Sequence, residues 1–510
     1  RFGYYLAVNV ALLPGFAIWW TASGALEFGE IEALRDVETY QIIGVALLLV
    51  LVVPGNVVAM DTARPTWERA EFLSGSNQAW HGELAWMNNN TPAPPLDYDE
   101  RLERPEDGDF EYPDGAYGVM SWWDYGHWIT YTAERIPHAN PFQEGPQTAS
   151  AYLLAQSEER ANLLIEALPS MEGAPRDFVE KSNAELRAMI DNQSEQEASE
   201  DVRYVVIDDQ MAAIQGISRR SSGKFNPITQ WTDPDGRYVS LRNRTVRTGG
   251  GNTTQAVLPG VSARYERTML SRLYFEDGTT VRDGRERLAP ALEHYRLVHE
   301  TNASTTFLSV GQRTTTGEYR GLRDAIGLNV VNAILTPGLQ GFIQRNALVP
   351  YDIRQESRVK TFERVEGARL TGQVNASRLN GTNATAAVTV PLQTNAGRNF
   401  TYRAQAPVGE NGSFSVTVPY ATNDAVSPSE GGTDSVIEAD GVYTLNVEDG
   451  GITTVSVPES AVLDGETVEV DVSGSGNASV TERGDGDGEY RRVAAGSPAA
   501  WSVDAVARVG

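Results

Sequence analysis

Two long apolar runs near the start of the chain constrain its fold more than any other feature of the sequence. Residues 2–20 contain Asn9 as the only strongly polar side chain, and residues 41–60 are nearly all aliphatic. A helix of about 20 residues crosses the ~30 Å hydrocarbon layer of a bilayer at about 1.5 Å per residue. Trp19 and Trp20 end the first run, which is typical of a membrane interface. The runs therefore predict two transmembrane helices within residues 1–60, with a buried helical hairpin in a soluble protein as the alternative.

The charge of the chain excludes one class of partner. The 510 residues carry a formal net charge of -26, and the only lysines are Lys181, Lys224 and Lys360. Such acidity repels nucleic acid, so we expect no nucleic-acid partner. An acidic, lysine-poor surface is typical of proteins that work in high salt, although an acidic protein from an ordinary habitat is the alternative. The chain has no cysteine, which excludes disulfides and thiolate chemistry.

The hydrophobic pattern after residue 60 predicts a mixed architecture. Residues 61–355 combine helical spacing, at 151–168 and 177–191, with a continuous apolar strand at 204–207 that ends at Asp208 and Asp209. From residue 356 onward apolar and polar residues alternate between Gly/Asn/Asp turns, which is typical of antiparallel strands. We predict two transmembrane α-helices (1–60), an α/β (α+β) central domain (61–355), and one or two small antiparallel β-sandwich or barrel domains (356–425 and 426–510).

The segment Ser121-Trp122-Trp123-Asp124-Tyr125-Gly126-His127-Trp128 has the strongest chemical signal, because four of its eight residues are aromatic and surround one carboxylate. Indole N–H donors and a carboxylate acceptor can together hold a small hydroxyl, and the rings exclude competing water. The alternative is an aromatic cluster that fills a core, with Asp124 as the N-terminal cap of a helix over residues 127–134.

The run WWDYG resembles the signature of the catalytic subunits of asparagine-linked oligosaccharyltransferases. Residues 136–143, with the sequence IPHANPFQ, are similar to the archaeal, AglB-type branch of that family. The resemblance implies a multi-pass protein of the cell membrane whose central domain is extracytoplasmic. It also implies a glycosyltransferase that moves a glycan from a dolichol-type phosphate carrier to asparagine in Asn-X-Ser/Thr sequences of an acceptor protein or peptide.

The resemblance also implies roles for individual residues. Trp122, Trp123 and Asp124 match the triplet that recognises the hydroxyl of the acceptor Ser or Thr. Met211 and Ile214 match a Met-x-x-Ile pattern that contacts the acceptor threonine, although Ser218 stands where the pattern has an apolar residue, and a plain core pair is the alternative.

Arg1 matches an arginine that faces the phosphates of the lipid-linked donor, with a simple helix-flanking charge as the alternative.

A divalent metal, Mg or Mn, is implied for the whole enzyme, with ligands in an N-terminal membrane region. The sequence begins at Arg1 without an initiator Met, so we expect a C-terminal fragment that lacks those ligands and holds no catalytic residue. The acidic run at 484–489 fails the EF-hand spacing and is interpreted as a solvated turn rather than a cation loop, and the five histidines lack zinc spacing. A non-enzymatic, acidic, membrane-anchored surface protein remains the alternative function.

Overall fold

The computed structural model describes residues 75–96, 98, 112–113, 115–142, 144–194, 201–214, 223–247, 253–283, 286–313, 319–321, 325–328, 348–374, 384–447 and 451–472. The chain divides into two compact units, residues 1–75 and 76–510, and the description below concerns the second. The predicted transmembrane segments lie outside the described residues. Among the helices of the described residues, none is both long enough and apolar enough to cross a bilayer.

The helices of the described residues are, in chain order, α1 (Gly75–Asn90), α2 (Gly126–Trp128), α3 (Pro146–Leu154), α4 (Glu158–Glu166), α5 (Pro175–Val179), α6 (Asn183–Ile190), α7 (Asp209–Ala212), α8 (Phe225–Thr232), α9 (Ala263–Arg267), α10 (Met269–Glu276) and α11 (Glu459–Asp464). The strands before residue 360 are β1 (Tyr117–Met120), β2 (Ile136–Pro137), β3 (Asp201–Asp208), β4 (Val239–Arg247), β5 (Thr253–Val261), β6 (Val281–Asp283), β7 (Glu286–Ala289), β8 (Tyr295–Glu300), β9 (Ser304–Arg313), β10 (Tyr319–Gly321), β11 (Ala325–Leu328), β12 (Leu348–Ser357) and β13 (Val359–Arg364). The remaining strands are β14 (Ala368–Gln373), β15 (Thr385–Gln393), β16 (Asn399–Pro407), β17 (Ser413–Val418), β18 (Glu438–Ala439), β19 (Tyr443–Val447), β20 (Gly451–Val455) and β21 (Thr467–Asp471).

A five-stranded sheet, ordered β2-β1-β3-β13-β8, forms the centre of the α/β region. β1 pairs in parallel with both β2 and β3, whereas β13 runs antiparallel to β3 and β8. The four residues from Tyr204 to Ile207 are fully buried, which confirms the strand predicted at 204–207. Parallel strands that are covered on both faces require such continuous apolar runs. The prediction of an α/β or α+β domain is therefore confirmed for the described residues.

Serine residues divide both of the long helical segments predicted from the sequence. The segment predicted at 151–168 is interrupted before α4, where Ser157 accepts a hydrogen bond from the backbone N–H of Arg160 at 3.2 Å. The segment predicted at 177–191 is interrupted before α6, where Ser182 and Glu185 form a reciprocal capping box. A serine at an N-cap satisfies backbone donors that a continuous helix would have used internally. Periodicity alone does not register these breaks.

Helix α1 packs against the sheet through Trp80, Leu84 and Met87, which are all buried and lie at the spacing of one helix face. The guanidinium of the buried Arg135 connects the end of α1 to the segment that follows the WWDYG run. It donates to the carbonyl of Asn88 at 3.2 Å and to that of Ala133 at 2.9 Å. The carbonyls at helix ends lack intrahelical partners, so Arg135 satisfies two helix ends at once.

The strands after residue 367 form two small sheets. One has the order β17-β14-β21, and the other has the order β16-β15-β19-β20 with β18 beside β15. Three predictions about this region differ from the observed strand pairing. β13 (Val359–Arg364) belongs to the central sheet, so the boundary at 355/356 falls one strand too early. β15 pairs with β19, and β14 pairs with β21, so the described strands on the two sides of residue 425 form common sheets. The β14–β21 pair is parallel, and the predicted purely antiparallel arrangement is corrected to a mixed one.

Buried ion pairs join these sheets to the central sheet. Arg296 of β8 donates to Glu363 of β13 at 2.6 Å and to Glu459 of α11 at 2.5 Å. Arg398, next to β16, pairs with Asp277 and, at 2.7 Å, with Glu300 of β8. A buried charge that loses its partner costs about 3–5 kcal/mol, so these pairs fix the orientation of the two regions. The sequence pattern carries no signal for such pairs, whose members are 67 or more residues apart.

Candidate functional site

The WWDYG run (Trp122–Gly126) leaves the sheet at the carboxyl end of β1. The neighbouring parallel strand β3 ends at the same edge with Asp208, and α7 starts there. Trp123, Asp124 and Tyr125 form a short 3-10 turn, which continues into α2 and then a π-helical turn over Ile129–Ala133. The helical character expected at 127–134 is thus present over residues 126–133, but Asp124 is not its N-terminal cap, because no side chain accepts a hydrogen bond at the start of these turns. Single π-helical turns occur frequently at functional sites.

Asp208 connects the motif to the helix that follows β3. Its carboxylate accepts hydrogen bonds from the indole of Trp80 at 2.9 Å, from the Tyr125 hydroxyl, and from the backbone N–H of Met211 at 2.8 Å. The last bond caps α7, so Asp208 ends β3, as the sequence predicts, and also starts the next helix. Burial, and then the neighbouring Asp208, raise the pKa of Tyr125 well above its ordinary value, so the phenol remains a donor. The Trp80 and Tyr125 rings stack with centroids 3.9 Å apart.

Asp124 pairs with a lysine that the sequence analysis did not assign to the site. Lys224, immediately before α8, places its Nζ 2.8 Å from Asp124 Oδ2 and 3.9 Å from the centre of the Tyr125 ring. The Asp124 side chain remains 32% exposed and that of Lys224 19% exposed, so the carboxylate is accessible while it is held. The backbone N–H of Lys224 also donates to the Gln210 carbonyl at 2.6 Å, which ties the lysine to α7. Only the folding of the chain brings positions 124 and 224 together.

The two tryptophans of the motif have different environments. Trp122 is buried, whereas Trp123 is partly exposed and packs against the Trp122 ring at 6.2 Å between centroids. The Trp123 Nε1 atom is covered and makes no hydrogen bond in the part of the chain that the structure describes. A covered donor without a partner costs about 1–3 kcal/mol, so a hydrogen bond from an arriving acceptor would be favourable at this nitrogen.

Gly126 is required by close packing rather than by an unusual backbone angle. Its φ is -53°, which any residue adopts, but a Cβ there would lie 2.3 Å from the Ala139 carbonyl oxygen and 2.8 Å from the Asn140 Cα. The glycine therefore lets the motif lie directly against the segment that follows β2. His138 in this segment is half-buried and places its Nε2 2.6 Å from the Thr148 hydroxyl. Burial lowers the pKa of His138 to about 4, so the ring is neutral at physiological pH.

Met211 and Ile214 lie beneath the motif in the same hydrophobic core as Trp122 and Tyr125. Met211 is fully buried and Ile214 is 9% exposed, and α7 ends at Ala212, before Ile214. Their proximity to the motif through Asp208 agrees with the pattern noted in the sequence, while their burial agrees equally with a plain core pair.

The described residues do not include every candidate that the sequence suggested. Arg1 and the acidic run at 484–489 lie outside them. Within the described residues, no group of three or more His, Asp or Glu side chains is arranged to hold a metal ion. Asp209, beside the motif, is instead paired with Arg358 at 3.1 Å. Burial, and then Asp208, raise the pKa of Asp209 to about 7.

Two family models match the chain. The AglB core domain matches residues 77–171, which include the motif, and the archaeal glycosylation protein B long peripheral domain matches residues 367–468. The second match extends across residue 425, in agreement with the strand pairing.

Two curated relatives are similar over most of the chain. One is the dolichyl-monophosphooligosaccharide–protein glycotransferase AglB of Haloferax volcanii, which is 31% identical over 87% of this chain and 44% of the relative. The other is the dolichyl-phosphooligosaccharide-protein glycotransferase 3 of Archaeoglobus fulgidus, which is 27% identical over 92% of this chain and 51% of the relative. The chain thus spans about half the length of the curated relatives it matches.

Solved structures of the Archaeoglobus fulgidus oligosaccharyltransferase share the fold. The AglB complex with an inhibitory peptide and a dolichol-phosphate has a TM-score of 0.51 at 22% identity, over 92% of this chain and 49% of that one. A complex of the oligosaccharyltransferase from the same organism with Zn and sulfate has a TM-score of 0.50 at 22% identity, over 89% of this chain and 55% of that one.

Proposed function

We propose that this AglB-type chain is the acceptor-recognition part of an oligosaccharyltransferase, which transfers a glycan from a dolichol-type phosphate carrier to asparagine in Asn-X-Ser/Thr sequences. The observation that carries the proposal is the environment of Asp124, a carboxylate that is accessible, held by Lys224 and flanked by the indole of Trp123. The similarity to the two curated glycotransferases supports the reaction class. Because the chain spans about half of their length, the complete reaction is part of the proposal.

The hydroxyl of the acceptor Ser or Thr has one donor and two lone pairs. We propose that it donates to the Asp124 carboxylate while its oxygen accepts from Trp123 Nε1. Since this nitrogen is covered in the structure, the indole or a neighbouring side chain has to turn slightly when the peptide binds. Lys224 keeps the carboxylate in place and offsets its charge. A peptide without the hydroxyl leaves both groups unpaired, which is the basis for discrimination.

Trp122, Met211 and Ile214 are proposed to support this pocket. Trp122 packs against Trp123, so it fixes the orientation of that partly exposed indole. Met211 is fully buried, so contact with the methyl group of an acceptor threonine requires a small movement of α7.

The remaining functions belong to the whole enzyme. We propose that it uses a divalent metal, Mg or Mn, whose ligands lie outside the described residues, since these do not provide a suitable group. We further propose that residues 1–60 anchor the chain in the cell membrane, that the described domains lie on its outer face, and that Arg1 faces the phosphates of the lipid-linked donor.

The proposal is tested by the binding of a labelled Asn-X-Thr peptide and of the matching Asn-X-Ala peptide to the detergent-purified chain, measured by fluorescence anisotropy. Hydrogen bonds to a charged group contribute about 1.5–3 kcal/mol, so we expect Asp124→Ala to weaken binding of the Thr peptide roughly 10- to 100-fold. Trp123→Phe removes one N–H and is expected to weaken binding severalfold. Trp86→Phe is the matched control, since Trp86 Nε1 is also covered and makes no hydrogen bond in the described residues, but its ring stacks on His299.

The competing function, a non-enzymatic acidic surface protein, predicts a different result. It requires equal affinity for the Thr and Ala peptides and no response to Asp124→Ala. That outcome would remove the acceptor-pocket proposal.

A further inference from the structure

The outer face of the segment that follows the motif exposes three ring-bearing side chains. Tyr131 is 88% exposed and Phe142 is 76% exposed, the two highest values among the large exposed hydrophobic residues of the described chain. The exposed His127 packs edge-on against Phe142, with ring centroids 5.3 Å apart. We call His127, Tyr131 and Phe142 the aromatic patch.

The backbone places this patch on the side opposite the core. Tyr125, Ile129 and Ala133 are buried at four-residue spacing on the inner face. His127 and Tyr131 are also four residues apart, and the π-helical turn over Ile129–Ala133 keeps them on nearly the same outer face, because a π-helix has more than four residues per turn. Folding buries the apolar side chains on the inner face and leaves these rings in solvent, so core packing does not explain them.

The patch is close to the candidate hydroxyl site along the same continuous segment. Asp124 and Tyr131 are seven residues apart, and at about 1.5 Å per residue this corresponds to about 10 Å. An extended polypeptide covers about 3.3 Å per residue, so about three residues separate the two positions along a bound peptide. The distance therefore fits a peptide whose hydroxyl residue lies at Asp124.

We infer that the aromatic patch binds the polypeptide residues that follow the hydroxyl residue of an acceptor sequence, an inference that rests on the proposed function. The residues before the hydroxyl include the acceptor asparagine, which has to reach the reacting groups elsewhere, so the following residues are the ones available to lie along this segment. The exposed Glu134 and Glu144 lie three residues after Tyr131 and two residues after Phe142 in the sequence, and their charge favours basic or apolar side chains over acidic ones. Aromatic rings bind apolar and cationic side chains through stacking, hydrophobic contact and cation–π attraction. The same carboxylates, and the net charge of -26, disfavour an anionic lipid surface as the occupant.

The test compares three labelled peptides bound to the detergent-purified 510-residue chain. The first ends at the threonine of Asn-X-Thr, the second continues for four residues with Trp and Lys at the third and fourth positions, and the third carries the same four residues before the asparagine. We expect the second peptide to bind about three- to tenfold more tightly than the first. Tyr131→Ala and Phe142→Ala are expected to remove this gain, and neither should change the affinity of the first peptide. Ile452→Ala is the matched control, since Ile452 is also an exposed apolar residue, 62% exposed on β20, and should leave the gain intact.

Each failure can be recognised separately. If Asp124→Ala leaves all three affinities unchanged, the proposed function fails. If Asp124→Ala weakens binding but the gain of the second peptide persists in both patch variants, the patch inference alone is overturned. It is also overturned if the variants abolish a gain that only the third peptide shows.

Discussion

Gly126 is the position where one added methyl group has the clearest expected effect. A Cβ at Gly126 would lie 2.3 Å from the Ala139 carbonyl oxygen, and the nearest atoms are backbone atoms that no rotamer change can move. In Gly126→Ala we therefore expect the motif to shift away from the 138–140 segment. Forced overpacking costs about 1–3 kcal/mol, or more where backbone must move, whereas alanine in a helical conformation gains only about 0.5–1 kcal/mol over glycine. The steric clash therefore outweighs the gain in helix propensity, and we expect Gly126→Ala to lower the free energy of unfolding by about 1–2 kcal/mol.

Gly82 provides the matched control, because it is also a helical glycine. It is exposed in α1, and a Cβ there would meet nothing within 4 Å. In Gly82→Ala only the higher helix propensity of alanine has an effect, so we expect the free energy of unfolding to rise by about 0.5–1 kcal/mol.

The measurement for both variants is the thermal midpoint of the detergent-purified chain, followed by tryptophan fluorescence. A change of 1 kcal/mol corresponds to about 2–4 °C for a domain of 150–250 residues. Gly126→Ala should lower the midpoint and also weaken the binding of Asn-X-Thr peptide, because Asp124 moves with the motif. A midpoint for Gly126→Ala equal to or above that of the wild type, together with a raised midpoint for Gly82→Ala, would refute the packing argument.

Three further predictions concern charge. Lys224→Met should weaken the affinity for Asn-X-Thr peptide by up to about fivefold, since a partly exposed ion pair contributes about 0.2–1 kcal/mol, and Lys224→Arg should restore part of it. An unchanged affinity in a peptide titration would show that Lys224 does not position Asp124. The pKa of Asp209 is raised to about 7, so the folded state keeps a proton that the unfolded state loses near pH 4. The free energy of unfolding therefore falls as the pH rises from about 4 to about 7. The Asp209→Asn variant lacks this titration. Its free energy of unfolding relative to that of the wild type should therefore rise by on the order of 3 kcal/mol from pH 5 to pH 8 in denaturant titrations. A difference between variant and wild type that does not change with pH would contradict the raised pKa. The pKa of His138 is lowered to about 4, so the unfolded state takes up a proton that the folded state refuses, and stability is lost as pH falls from about 6.5 to about 4. The wild type should lose more unfolding free energy between pH 7 and pH 4.5 than His138→Gln does, by on the order of 3 kcal/mol. Denaturant unfolding curves of the two proteins at both pH values measure this difference.

The rarity of lysine is a signal in the sequence that could be interpreted only with the fold. Two of the three lysines have specific ion-pair partners. Lys224 pairs with Asp124, and the fully buried Lys360 pairs with Asp277 and with Glu356, each at 2.8 Å. Although burial alone lowers the pKa of Lys360, Asp277 and Glu356 raise it above its ordinary value, so it stays charged. In a chain that otherwise uses arginine, the remaining lysines were candidates for specific roles, but their partners are far away in the sequence.

Helix α1 is another element that the sequence indicates. Trp80, Leu84 and Met87 have the spacing of one helix face, although Asn and Pro residues surround them in the sequence. Periodicity is a local property, so it was sufficient in principle here.

Local physics determined what could be predicted from the residues alone. Several features depend only on neighbours in the chain, and the structure has each of them. They are the continuous burial of 204–207, the alternation at 414–418 and 443–447, and the helix cap at Asp208. The resemblance of WWDYG identified the motif itself.

Long-range packing decided the rest, because side chains that meet across the fold leave no periodic trace in the sequence. The pairing of Asp124 with Lys224 and the binding of Tyr125 to Asp208 join segments that lie far apart in the sequence, and the parallel pairing of β1 and β3 brings Tyr125 and Asp208 to the same edge of the sheet. The contact that requires Gly126 depends instead on the parallel pairing of β1 and β2, which places the motif against residues 138–140. The sheets that extend across residue 425 follow the same rule, since hydrogen bonds between strands depend on which edges meet and not on distance along the chain.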